Sequence, residues 1–168
     1  MTSHRQIMIN AASAVQASAE IAAYCVQHFG RPLEIHVGAY PTGIPGEKEA
    51  PFLWVIPAAV ENESVATDES FVIHMVVGGL VKGPDGEKYM RVVNAERTDA
   101  ANGLVINGGN KIVEDLRDMI LAIVREARAG AIVSRIRRAE NDISHFPLEW
   151  AEMYVEYIEP ESLTEIGG

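Results

Sequence analysis

The chain has a single cysteine, Cys25, in 168 residues. One thiol excludes an internal disulfide framework and any zinc site built on paired thiolates. Basic residues are also few: Lys plus Arg is 14 against 24 Asp plus Glu, a net charge of -10. That deficit argues against a protein that grips phosphate backbones, whose mark is a basic face. It is compatible with DNA passing nearby, because like charges repel and prevent sticking. There is no run of 18 apolar residues, so no membrane-spanning helix is expected. The opening MTSHRQIMINAASAVQ lacks a continuous apolar stretch and predicts no secretory leader. These absences point to a soluble protein of a reducing cytoplasm.

Chemical motifs are equally scarce. His4, His28, His36, His74 and His145 form no HExxH and no close pair. His74 lies inside an apolar stretch and reads as a core or interface histidine. Pairing of its strand with that of His36 would make the two neighbours, but the spacing supplies no third ligand. No GxGxxG follows a strand, and GxxxxGK[ST] and GxSxG are both missing. NGGNK, 107–111, precedes a helix and could offer backbone amides to an anion, but loop closure and capping is the plainer reading. Cys25, with His28 at i+3, reads as a small buried hydrophobe rather than a nucleophile. No catalytic, cofactor-binding or metal-ligating residue is therefore assigned, and an enzyme is not expected.

What is present is hydrophobic patterning. From Ser3 to Phe29, Met8, Ala11, Val15, Ala19, Ala22 and Val26 recur every three or four residues, which predicts one Ala-rich helix stopped by Gly30 and Pro32. The period then changes to 2: Leu33, Ile35, Val37 and Ala39 alternate with Glu34 and His36, a half-buried strand. YPTGIPGEKEAP reads as a long exposed loop. FLWVIPAAV (52–60) and FVIHMVVGGLV (71–81) are apolar on both faces, as central strands are. ENESVATDE is a polar turn. KGPDGEK is a hairpin turn, with KYMRVVN returning as a fourth strand of an antiparallel meander. ERTDAANGLVINGGNK (96–111) reads as a loop ending at Asn110, a candidate N-cap. Ile112, Leu116, Met119, Ile120, Ile123, Val124 and Ala127 mark a strongly amphipathic helix over about 112–129, ended by Gly130.

The last segments carry opposite charges. Arg135, Arg137 and Arg138 lie in AIVSRIRRAE, whereas Glu149, Glu152, Glu156, Glu159, Glu161 and Glu165 crowd the C-terminal part. HFPLEWAEMYVEYI satisfies both a helical and a strand period. Its β-branched and aromatic residues, its length between Pro147 and Pro160, and its basic neighbour favour a strand closing a hairpin. On a strand Glu152 and Glu156 straddle Tyr154 at about 13 Å, too far apart to share a proton. They read as a solvated acidic face able to meet Arg135 or Arg137. The expected fold is α+β in one domain over 1–168: an N-terminal helix, a mainly antiparallel sheet of about 5–6 strands, and one long helix before a closing β-hairpin. Residues 161–168 are expected to fray. Two strands apolar on both faces need double cover. Either a neighbouring subunit supplies part of it, or the helices share one face and a loop covers the other.

LEIHVGAYP, PFLWVIPAAVE, GLVINGGNK leading into IVEDLRDMILAIVREA, and FPLEWAEMYVEYIEP follow an order that resembles the tail terminator (tail completion) proteins of long-tailed bacteriophages and prophages. The resemblance spans nearly the whole chain and lies in element order, with no diagnostic motif. It implies a hexameric ring that caps the finished tail tube, stops its elongation and offers the surface on which the head's connector docks. The implied partners are other copies of the chain, the tail-tube protein and the head-completion protein, with DNA only as passing cargo. The implied location is the host cytoplasm during assembly and then the virion tail. YPTGIPGEKEAP and ERTDAANGLVINGG are the candidate contact loops. Two other readings stay open: another neck or head–tail joining ring, and a small cytoplasmic ligand-binding or enzyme domain.

Overall fold

The structure, a computed structural model, describes residues 2–58, 70–80, 98–100, 104–106, 109–127, 129–139 and 148–158. Two serines organise its beginning. Ser3 Oγ accepts from the Gln6 amide at 3.2 Å and starts α1 (His4–Gln16). Ser18 Oγ accepts from the Ile21 amide at 3.3 Å and starts α2 (Ala19–Phe29). Both satisfy an amide that a helix start would otherwise leave bare. The single helix expected over Ser3 to Phe29 is therefore two, because Ser18 takes an extended backbone between them. The break resets the phase. Met8, Ala11 and Val15 are buried as expected, but α2 buries Ile21, Cys25 and Phe29 and leaves Ala19, Ala22 and Val26 exposed. Gly30 closes α2 at φ 76°, its amide donating to the Val26 carbonyl.

The strands are β1 (Glu34–Val37), β2 (Phe52–Pro57), β3 (Ser70–Gly79), β4 (Thr98–Ala100), β5 (Leu104–Ile106), β6 (Ile132–Ala139) and β7 (Glu149–Ile158), with α3 (Gly109–Glu126) between β5 and β6. Five of them form one mixed sheet in the order β1-β2-β3-β7-β6, and β4 and β5 make a separate two-stranded ladder. The fold is α+β, and the closing hairpin is present: β6 and β7 pair antiparallel. HFPLEWAEMYVEYI resolves to a strand over its described part, with Ala151, Met153, Val155 and Tyr157 buried beneath the helices.

Three expectations need correction. The start is not a simple antiparallel meander, because β1 and β2 are parallel, Glu34 opposite Phe52 and Val37 opposite Val55. A parallel pair cannot be joined by a tight turn, so residues 38–51 must cross from one end of the sheet to the other. The stretch 96–111 is not all loop, since it holds β4, β5 and the start of α3. Asn110 consequently lies inside the first turn of α3 rather than ahead of it, and the helix ends at Glu126, short of the expected 129. His36 and His74 are not neighbours, because β2 separates their strands. The expected strand KYMRVVN, the turns ENESVATDE and KGPDGEK, His145 and the tail 161–168 lie outside the described residues.

All three helices share one face of the sheet. Ile7, Met8, Ala11 and Val15 of α1, Ile21, Cys25 and Phe29 of α2, and Val113, Leu116, Ile120 and Val124 of α3 form one core with Leu53, Val55, Ile73, Met75, Val77 and the inward side of β7. Each such large apolar side chain contributes about 1.5–3 kcal/mol when fully buried. The buried stripe of α3 is centred on Val113, Leu116, Ile120 and Val124, with Ile112, Met119 and Ile123 on its flank.

Candidate functional site

With the helices all on one side, the other face of the sheet is where function is to be sought. The register places Glu34 and His36 of β1, Phe52, Trp54 and Ile56 of β2, His74, Val76 and Gly78 of β3, Trp150, Glu152, Tyr154 and Glu156 of β7, and Arg135 and Arg137 of β6 on this face. It has two halves of different chemistry.

The first half is roofed by the crossover 38–51. Ala50, Phe52, Trp54, Val76, Leu148 and Trp150 form a second apolar core, with Tyr40, Ile56 and Leu80 against it. Phe52 has room because its neighbour across the ladder is Gly78: a Cβ there would lie 2.3 Å from the Phe52 ring. The ring meets Trp150 edge-on at 5.7 Å, a favoured aromatic geometry. The next glycine serves the opposite face, where a Cβ on Gly79 would lie 2.5 Å from Phe29 and 2.9 Å from Val113. The crossover is pinned rather than loose. Trp54 Nε1 donates to the Gly38 carbonyl at 2.8 Å, Tyr40 Oη to Glu49 Oε1 at 2.6 Å, and the Gly46 amide to Glu49 Oε2 at 2.8 Å. The Tyr40–Glu49 hydrogen bond raises the phenol's pKa and lowers the carboxyl's. The sequence reading of YPTGIPGEKEAP as a contact loop thus falls on a rigid strap with Ile44 exposed at its tip.

The second half is polar and aromatic. His74 stacks on Tyr154, ring centroids 4.5 Å apart and nearly parallel. The Arg137 guanidinium lies over the same Tyr154 ring, 4.9 Å from its centroid. His74 Nε2 lies 3.3 Å from Glu152 Oε1, which also accepts from Trp150 Nε1 at 2.9 Å. The His74–Glu152 contact is close but poorly aligned, and among the described residues His74 Nε2 makes no hydrogen bond of good geometry. Burial lowers the His74 pKa, and the Glu152 carboxylate opposes that shift without overcoming it. His74 is thus a neutral, stacked, half-buried histidine, in keeping with the core or interface role expected of it.

The carboxylates of the closing strand divide. Glu152 is engaged by His74 and Trp150, whereas Glu156 lies opposite Arg135 in register. Arg137 faces Tyr154 instead of an acid, and Arg138 turns to the helical side, where its Nε reaches Asp118 Oδ1 at 2.9 Å. A bulge between Val133 and Arg135 sets this arrangement, and no residue pattern marks such an irregularity in advance. Cys25 is fully buried, and burial pushes its thiol up to about 11, so it stays protonated and inert at neutral pH. Among the described residues no group of three His, Cys, Asp or Glu side chains could hold a metal ion, and no helix is long and apolar enough to cross a membrane. Comparison with protein-family models and with curated proteins gives no match.

Proposed function

We propose that the chain is a structural assembly protein, a ring-forming subunit of the tail-terminator kind. The ring, six copies in the reading the resemblance implies, caps a phage tail tube, ends its growth and presents a docking surface to the head's connector. The observation that carries this reading is the element order: helical start, mixed sheet, one strongly amphipathic helix α3, then the closing hairpin β6–β7. Two features support it. The sheet face away from the helices offers stacked aromatic and charged groups suited to a protein partner. The net charge of -10 suits a channel that lets DNA pass without holding it. In this reading the chain is not an enzyme. It works in the host cytoplasm during assembly and in the virion afterwards.

The test is assembly with the protein withheld. Tail tubes that elongate past their normal length and fail to join heads would identify the terminator. Tubes of normal length that still fail to join would point instead to a neck or joining ring. Normal, head-bearing tails would refute both.

A further inference from the structure

The two outer strands of the sheet are β1 and β6, and among the described residues neither has a partner on its outer side. An open edge is a row of unpaired amides and carbonyls that readily accepts another strand. Three observations say which strand fits. The first is direction. β1, β2 and β7 run one way, and β3 and β6 the other. A neighbouring copy turned about an axis along the strands therefore brings its β1 antiparallel to β6. The second is charge. Arg135 and Arg137 lie on the same sheet face as Glu34 of β1, so the joint sets guanidinium against carboxylate. Two β6 edges brought together would set arginine against arginine instead, which disfavours a two-fold pairing. The third is exposure. Val37 at the end of β1 and Ile132 at the start of β6 are large apolar side chains left 39% and 42% exposed. An antiparallel joint brings the end of one strand to the start of the other, so both fall at the same end of it, Val37 on the helical face and Ile132 on the opposite face.

We propose that β6 of one copy pairs antiparallel with β1 of the next, continuing the sheet from subunit to subunit. The contact joins two different surfaces, so it closes into a ring or runs on as a filament according to the rotation between copies. The existing partners of these side chains do not block it. Glu34 shares its carboxylate between Arg31 and His36 at the surface, and Arg137 is exposed beside Tyr154. This inference rests on the reading of the chain as self-assembling, and the test separates the two.

The full chain and three variants are compared by native mass spectrometry and light scattering, with circular dichroism as the control for folding. Glu34→Arg spoils only the β1 edge, and Arg135→Glu with Arg137→Glu spoils only the β6 edge. Each alone should be monomeric. Mixed together they should reassemble past a dimer, because the two reversed edges complement each other as the two unaltered edges do. All three changes in one chain should restore the wild-type mass. Independently, Glu34→Cys with Arg135→Cys, or with Arg137→Cys, should give an intermolecular disulfide ladder under mild oxidation in at least one combination, since directly opposed strand residues lie within disulfide reach. A wild-type protein that is monomeric at every concentration refutes self-assembly and the joint together. A wild-type oligomer whose mass survives both edge variants, with no ladder, refutes the joint alone, including the case in which another segment of the same chain occupies the edge.

Discussion

Tyr157 carries the least comfortable polar atom in the main core. Its side chain is 1% exposed, and its hydroxyl has no hydrogen-bond partner among the described residues. Burial accordingly pushes its pKa up to about 12. An unpaired buried hydroxyl costs about 1–3 kcal/mol, whereas the ring keeps its packing without it. Tyr157→Phe should therefore stabilise the protein by about 1 kcal/mol in urea denaturation, and a loss of stability would mean that the hydroxyl has a role. His74 tells a different story. Its folded pKa lies below the unfolded value of about 6.5. Its contribution is complete above pH 6.5 and is lost as the pH falls through that value toward the folded pKa, because the unfolded chain takes the proton more readily. The denaturation midpoint should drop between pH 7 and 5.5, and His74→Gln should flatten that drop. An unchanged slope in the variant would assign the effect to another group.

At the scale of elements, small residues decide more than large ones. Ser18→Ala removes the cap that separates α1 from α2 and should cost about 1 kcal/mol, read from the thermal or urea midpoint. Gly78→Ala places a methyl group into the Phe52 ring and should cost about 1–3 kcal/mol, and Phe52→Leu in the same chain should recover part of it. Recovery would show that the clash, rather than backbone stiffening, is responsible. These positions also explain what could be read in the sequence. The period-2 strands, the stripe of α3 and the charge contrast of the closing hairpin are local patterns, and they led to the α+β fold and to a strand at 149–158. The break at Ser18 was hidden because Ala and Ser suit a continuing stripe as well as a restart. The parallel β1–β2 pair was hidden because strand direction depends on where a crossover lands. The His74–Tyr154–Arg137 stack was hidden because it joins three strands through a register that no single segment encodes.

The described residues form a one-sided sandwich: three helices on one face of the sheet, and the strap 38–51 on part of the other. Doubly apolar strands do not by themselves demand a second subunit here, since the crossover 38–51 supplies cover for Phe52 and Trp54. Whether copies meet is instead a question of the two sheet edges, and the mass of the full chain answers it. If the strap is a structural roof, Tyr40→Phe should weaken the fold as well as any contact made by Ile44, through loss of the bond to Glu49. A substitution at Ile44 itself should leave stability within about 0.5 kcal/mol of the parent while reducing any contact made there.

The strand that comes last in the order of elements lies inside the sheet. β7 sits between β3 and β6, with Ser70 opposite Ile158 and Gly79 opposite Glu149. Contacts so distant along the chain are slow to form, because a long loop must close before they give any return. A chain emerging from the ribosome therefore holds β3 without its partner on one side until β7 has cleared the exit. Through that interval Met75 and Val77 stand ready for any other apolar strand. The chain is then most vulnerable to wrong pairing while it is still being synthesised, before its own sheet is complete.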